Sequence, residues 1–196
     1  MNYQVDVREV STASLLAYQE QAYFEQLCAQ CPNYAANHGC PPFDFSPRDY
    51  IGQFEFISVV RLKVDTASML ERFAVSGELV EQGRQLIGRV RYGTDQTLMA
   101  MEQAFAGARV SLPGACNVCA TCARKAGLPC ELGQPRYSLE ALGINLAKLA
   151  RELFGEEILW IKDGKLPEYF SLICGVFSVG GGLRDAIHRK LSSAGQ

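Results

Sequence analysis

The sequence Phe54-Glu-Phe-Ile-Ser-Val-Val-Arg-Leu-Lys-Val64, followed by Asp65-Thr66, gives the clearest indication of how this chain folds. Its β-branched and aromatic residues favour a buried strand, and the Asp-Thr pair at its end is typical of a helix start. Residues 66–106 follow with apolar side chains at helical spacing, interrupted near Gly77 and Tyr92-Gly93. We therefore expect a strand and then two or three helices.

Strand and helix patterns continue on both sides of this stretch. Before it, residues 3–7 predict a short strand, and Ser11 or Thr12 can cap a helix that leads to Cys28. Asn145 can begin a strongly periodic helix that Gly155 would end. The other elements predicted after it are strands at 108–112, 158–162 and 169–179 and a helix at 183–191.

Strands that alternate with helices are typical of βαβ units. The expected fold class is therefore α/β or α+β, with a small mixed sheet and flanking helices. We expect a single domain over residues 1–196, with two cysteine-rich cluster-binding segments, 28–42 and 116–134, at the edge of the sheet.

Composition narrows the classes of protein to which the chain can belong. Its 196 residues carry 19 basic and 21 acidic side chains, so nothing in its charge favours a nucleic-acid partner. No apolar run approaches the roughly 18 residues of a membrane span, which predicts no membrane insertion. Charged residues near the start, at Asp6, Arg8 and Glu9, exclude a secretory signal there and predict a cytoplasmic protein. Eight cysteines in that compartment indicate metal or redox chemistry, not disulfides.

The second cysteine group is the stronger metal-binding pattern. Cys116, Cys119 and Cys122 are separated by two residues each, and Cys130 follows after seven more. A C-x2-C-x2-C run wraps a cubane because successive thiolates reach different irons of one [4Fe-4S] cluster. Zinc, which more often uses two C-x2-C knuckles, is the alternative.

The first group, Cys28, Cys31 and Cys40, offers three thiolates, so a fourth ligand is needed. The prolines that follow Cys31 and Cys40 stiffen the loop. Candidates for the fourth position are Cys174, His38, Asp44 or an exogenous molecule on an open iron. Cys174 lies in an apolar run and favours a core role, while His38, beside a glycine, favours an exposed loop.

Two further features favour ordinary structural roles. Gly180-Gly181-Gly182 lacks the rest of a dinucleotide-binding motif and predicts a flexible turn, although its amides could approach an anion. Arg124, Lys125 and Arg136, near the second group, favour solvated surface over a role in partner docking or charge stabilisation. The two histidines, His38 and His188, lie in no nucleophile motif, so no Ser-His-Asp site is predicted.

The cysteine segments together resemble a family of predicted metal-binding proteins, DUF2284, found mainly in anaerobic bacteria and archaea. The resemblance covers roughly residues 28 to 145, and this chain departs from the family pattern at Glu131 and Tyr137, where the family has arginine and proline. The matching pieces are Cys28-Ala-Gln-Cys31-Pro-Asn-Tyr34 through Cys40-Pro41-Pro42, Pro113-Gly114-Ala-Cys116-Asn-Val-Cys119-Ala-Thr-Cys122 through Pro129-Cys130, and Tyr137-Ser138-Leu139-Glu140-Ala141-Leu142-Gly143-Ile144.

The resemblance implies metal or iron–sulfur binding by the seven cysteines of the two groups, and Cys174 is outside its pattern. It implies no reaction. We expect an iron–sulfur protein with one or two [4Fe-4S] clusters that serves electron transfer or small-scale redox chemistry with a redox or client protein. The alternatives are a factor for cluster maturation or delivery and a zinc-stabilised interaction module.

Overall fold

The computed structural model describes residues 3–195 and contains one four-stranded sheet. Its strands are β1 (Gln4–Ser11), β2 (Phe56–Asp65), β3 (Arg109–Ser111) and β4 (Tyr169–Ser178). They lie in the order β1-β2-β4-β3, and β2 pairs with β4 along its whole length, from Phe56 opposite Ser178 to Asp65 opposite Tyr169. The two central strands are those predicted from the most β-branched and aromatic stretches.

Seven α-helices surround the sheet in the described residues: α1 (Thr12–Leu15), α2 (Gln21–Cys28), α3 (Pro47–Ile51), α4 (Thr66–Arg72), α5 (Leu79–Ala104), α6 (Leu146–Phe154) and α7 (Arg184–Ala194). Three predicted caps are confirmed, because the side chains of Ser11, Asp65 and Asn145 each accept a hydrogen bond from a backbone amide three residues later. Gly155 ends α6 in the left-handed conformation, as predicted. Within these residues, no helix has both the length and the apolar character that crossing a bilayer requires.

Each face of the sheet has its own core. On one face, α5 and α7 cover alternate residues of β2 and β4, including Val60, Leu62 and Val176. On the other face, Ile57 and Phe177 pack against α6 and the segment 137–144. Side chains directly opposite each other on paired strands point to the same face, so the alternation along β2 and β4 fills both layers.

The sheet confirms the α+β class, but it is not mixed. All three strand pairs are antiparallel. Helices α4 and α5 lead from β2 to β3, which runs parallel to β2, but β4 lies between these two strands, so no hydrogen-bonded pair is parallel.

Three local predictions were wrong for identifiable reasons. Residues 158–162 form no strand; they cross one side of a cavity, and only Lys162 makes a bridge, to Lys165, across a tight turn. The predicted helix from Thr12 to Cys28 is broken by a short 3-10 turn at Leu16–Tyr18. The expected break at Tyr92-Gly93 is absent because α5 continues through it, held on the core by Leu86, Val90 and Leu98.

The triple glycine 180–182 forms the predicted turn before α7, and the anion at its amides comes from the chain itself. The Glu9 carboxylate accepts hydrogen bonds from the amides of Gly182, at 2.8 and 3.0 Å, and Leu183, at 3.0 Å. This contact joins β1 to the start of α7. These amides are therefore satisfied internally.

Candidate metal centre

The first cysteine segment begins at the end of α2, and the segment 137–144 fixes the start of that helix. The amide of Glu20 donates to the Gly143 carbonyl at 2.8 Å, and the side-chain amide of Gln19 donates to the Leu142 carbonyl at 3.0 Å. Gly143 has a φ of +83°, and a Cβ there would lie 2.9 Å from the Gln21 Cα. The chain approaches so closely at this point that only glycine fits, and Cys28 is positioned as a result.

The three thiols of the first segment lie on one compact loop of consecutive turns. The amide of Cys31 donates to the Cys28 carbonyl at 2.9 Å, and the amide of Cys40 donates to the Asn37 carbonyl at 3.0 Å. Burial and the neighbouring thiols of Cys31 and Cys28 raise the pKa of the Cys40 thiol to about 12.

The second segment follows β3 and gathers its four thiols around one small cavity. Cys116, Cys119, Cys122 and Cys130 all line this cavity, which we call the four-thiol cavity. Arg91 of α5 fixes the entry to the segment, because its guanidinium donates to the Ala115 carbonyl at 2.8 Å. The four cysteines that the sequence pattern predicts to be one ligand set therefore line one cavity.

Burial, together with the charge of Glu131 and a hydrogen bond to it, raises the pKa of the Cys119 thiol. Glu131, which follows Cys130 in the sequence, therefore lies beside a candidate ligand.

The two cysteine segments are locked to each other through residues 37–39. The Asn37 side chain donates to the Cys116 carbonyl at 2.8 Å and accepts from the Gly39 amide at 2.8 Å. The backbone amide of His38 lies 3.3 Å from the Cys122 sulfur, to which it donates a hydrogen bond. The first segment thus supplies part of the wall of the four-thiol cavity, where Asn37 and His38 both lie.

Arg124 makes the second link between the segments. One of its terminal nitrogens donates to the carbonyls of Asn37 at 3.0 Å and Cys40 at 2.7 Å, and the other donates to the Pro42 carbonyl at 2.8 Å. The prediction of a solvated side chain was wrong for Arg124. It was also wrong for Arg136, which is buried and paired with Glu102, whereas Lys125 is exposed as predicted.

Replacing Arg124 by alanine is expected to loosen the segment 28–42. A hydrogen bond to a charged group contributes about 1.5–3 kcal/mol, so losing three carbonyl contacts should increase local opening on the order of tenfold or more. Limited proteolysis followed by mass spectrometry measures the rate of cleavage within the segment. Lys125→Ala removes a neighbouring exposed cation and should leave that rate unchanged; equal rates in the two variants would contradict the structural role of Arg124.

The candidates for a fourth ligand of the first group have different surroundings. Cys174 is fully buried in β4, opposite Val60 and within the core that α5 covers. Asp44 is exposed. His38 lies at the four-thiol cavity, and its ring Nε2 is 2.8 Å from the Leu128 carbonyl. A histidine that ligates a metal through one nitrogen commonly donates its other N–H to such a carbonyl.

Within residues 3–195, no three or more His, Cys, Asp or Glu side chains converge closely enough to hold a single ion. The thiols of the second group are arranged around a cavity, and those of the first group lie on their own loop. Sequence reasoning missed Asn37 and Gly39, and the only available signal was their position between Cys31 and Cys40. It noted Arg124 but missed its role, because no local pattern shows which carbonyls an arginine will reach.

One comparison with known proteins gives a match. A family model described as a predicted metal-binding protein (DUF2284) matches residues 13–174. The chain belongs to the DUF2284 family. No curated protein and no solved structure matches the chain. The matched range contains all eight cysteines of this DUF2284 protein, together with the contacts that join its two cysteine segments.

Metal binding is therefore the family property that this DUF2284 protein carries. The family description names no metal and no reaction. The chemistry of the donor set at the four-thiol cavity narrows the choice, because four sulfur donors suit iron–sulfur clusters and zinc and do not suit magnesium or calcium.

Proposed function

We propose that this DUF2284 protein binds a [4Fe-4S] cluster through Cys116, Cys119, Cys122 and Cys130. The observation that carries the proposal is that all four thiols line one cavity. The spacing adds to it, since a C-x2-C-x2-C run presents thiolates to different irons of a cubane. Once bound, such a cluster supplies one-electron transfer at a potential set by its surroundings.

The chain's own groups at this cavity suit a bound thiolate. The His38 amide donates to the Cys122 sulfur, and hydrogen bonds to sulfur stabilise its anionic form. Arg124 places a positive charge between the two cysteine segments while its hydrogen bonds satisfy backbone carbonyls. The His38 amide and the Arg124 charge both lower the electrostatic free energy of holding several negatively charged sulfurs close together.

A second cluster at the first segment is the natural extension of the proposal. Cys28, Cys31 and Cys40 supply three thiolates, and the burial of Cys174 in the sheet core favours a fourth ligand of another kind. Asn37 and His38 of the first segment contact Cys116 and Cys122 of the second, which supports two neighbouring sites. Two neighbouring clusters suit an electron carrier, which is the role we propose.

Anaerobic purification followed by iron, zinc and acid-labile sulfide analysis tests the proposal. We expect about eight irons per chain if both groups are filled and about four if only the second is. The visible absorbance should bleach on reduction with dithionite and return on reoxidation. Stoichiometric zinc without sulfide would overturn the cluster assignment and support the zinc-stabilised alternative. Rapid transfer of iron and sulfide to an apo-ferredoxin would replace electron transfer with cluster delivery.

A further inference from the structure

A second cavity, of about 370 Å³, lies where α3, the end of α5 and the start of β3 meet. The polar side chains that line it are Tyr50, Gln53, Glu102, Arg109 and Gln134, and we call it the polar cavity. It shares no lining residue with the four-thiol cavity. Its volume falls within the range of small-molecule sites in proteins, about 300–1,000 Å³.

The acidic side chain of the polar cavity, Glu102, has no acceptor capacity left for a ligand. Its Oε1 accepts hydrogen bonds from Arg136 and, at 2.9 Å, from Arg109. Its Oε2 accepts from Arg136 at 2.8 Å and from the Val110 amide at 2.9 Å. A carboxylate offers about four lone-pair sites, and all of them are used here. Two guanidinium groups therefore share one negative charge, which leaves a positive charge in excess beside the cavity.

Arg109 keeps most of its hydrogen-bonding capacity free. A guanidinium group has five N–H donors, and in the described part of the chain that of Arg109 makes a single hydrogen bond, to Glu102. The Arg109 side chain is 33% exposed, so its remaining donors are accessible to a ligand. A guanidinium group binds a carboxylate through two parallel N–H···O bonds. The free donors of Arg109 therefore suit a carboxylate ligand.

A buried tyrosine adds a second donor to the polar cavity. Tyr50 is only 6% exposed, because its ring packs against those of Phe45, Phe54, Tyr137 and Phe177. Its hydroxyl has no hydrogen-bond partner among residues 3–195 and is not enclosed by protein atoms, so it opens into the cavity that Tyr50 lines. Burial raises the pKa of Tyr50, so the hydroxyl keeps its proton and can donate it. The hydroxyl of a buried tyrosine usually has a hydrogen-bond partner, and a ligand would supply one here.

We propose that the polar cavity binds a small organic acid whose carboxylate accepts hydrogen bonds from the guanidinium of Arg109 and the hydroxyl of Tyr50. The volume leaves room for a carbon body beyond the carboxylate, so an organic acid fills the space better than a small inorganic anion does. Gln53 and Gln134 are exposed, and within the described residues their side-chain amides make no hydrogen bond, so they are available to polar groups on that body. This binding goes beyond the proposed metal function and does not rest on it.

Calorimetric titration of the full-length, metal-loaded protein with succinate tests the proposal. Succinamide, the uncharged diamide of the same acid, is the matched ligand because it has the same carbon body without the negative charge. We expect saturable binding of succinate and about tenfold or more weaker binding of succinamide, since hydrogen bonds to a charged acceptor are the stronger ones. Inorganic phosphate is titrated in the same way and should bind more weakly than succinate.

Two variants locate the bound succinate. Tyr50→Phe removes only the hydroxyl and should weaken succinate binding about three- to tenfold, while Arg109→Met should weaken it about tenfold or more. Tyr92→Phe and Arg89→Met make the same chemical changes on the exposed surface of α5 and should leave the dissociation constant unchanged. Iron content is measured for every variant and should not change, so a failure here is distinguishable from a failure of the metal proposal.

Several results would overturn the proposal. Equal affinity for succinate and succinamide would show that the polar cavity does not select an anion. Succinate binding that is unchanged in both Tyr50→Phe and Arg109→Met would place the ligand elsewhere on the protein. Tighter binding of phosphate than of succinate would assign the cavity to an inorganic oxyanion instead. The absence of saturable succinate binding would remove the site.

Discussion

Replacing Cys119 by alanine is expected to remove about four irons per chain and most of the visible absorbance that the second group contributes. Cys119 is the middle member of the C-x2-C-x2-C run and one of the four thiols that line the same cavity. A cubane that loses one of its four local thiolates is left with three, and Cys174 cannot replace the fourth because it lies within the sheet core. Iron, sulfide and absorbance measured after anaerobic purification give the result directly.

Cys174→Ala is the matched control, since it also removes one thiol. The Cys174 side chain is fully buried among aliphatic residues, so replacing it should destabilise the fold by on the order of 1 kcal/mol. Iron and sulfide content should stay at the level of the unaltered protein. Unchanged iron in Cys119→Ala would remove this cysteine from the ligand set. Iron lost from Cys174→Ala while its sheet stays folded would assign Cys174 to the first group.

Replacing Gly39 by alanine is expected to separate the two cysteine segments. A Cβ at this position would lie 2.7 Å from the Arg136 carbonyl oxygen and 2.8 Å from the Cys116 Cβ, closer than such atoms approach. Neither neighbour can rotate away, and Arg136 is further held by its buried ion pair with Glu102. We expect a loss of about 1–3 kcal/mol in the free energy of unfolding, together with reduced metal content.

Gly88→Ala makes the same chemical change where the surroundings are open. Gly88 is exposed in the middle of α5, and a Cβ there meets nothing within 4 Å. Alanine should therefore stabilise the helix by about 0.5–1 kcal/mol and leave the metal content unchanged. Urea unfolding curves for the two variants should shift in opposite directions. Metal content and stability in Gly39→Ala equal to those of the unaltered protein would show that the packing between the segments is not needed.

The parts of the fold that depend on neighbouring residues could be predicted from the sequence. Asp65 and Asn145 begin helices by accepting hydrogen bonds from amides three residues later, so the residues that determine each helix start lie within one turn of the sequence. The central strands carry dense β-branched and aromatic residues because both of their faces are buried. The choice of strand partners depends on the whole chain, which is why the antiparallel order could not be obtained from the same patterns.

The candidate site likewise has a local part, which the sequence predicts, and a part that depends on long-range packing, which the sequence does not predict. The grouping of Cys116, Cys119 and Cys122 is local, and its interpretation as one ligand set agrees with the single cavity that they line. The contact of Asn37 with Cys116 is a long-range result of packing. An arginine or glutamate in a sequence carries no sign of whether it will meet solvent, a carbonyl or a cavity.

The hydrogen bond between Asn37 and Cys116 joins residues that are 79 positions apart, and Arg124 reaches carbonyls 82 to 87 positions earlier. A ribosome adds about 5–20 residues each second, so on the order of ten seconds pass between synthesis of the two segments. During that interval the nascent chain presents Cys28, Cys31 and Cys40 without the second segment, whose Arg124 later holds their loop. The thiols are most open to oxidation and to capture of the wrong metal while the protein is still being made.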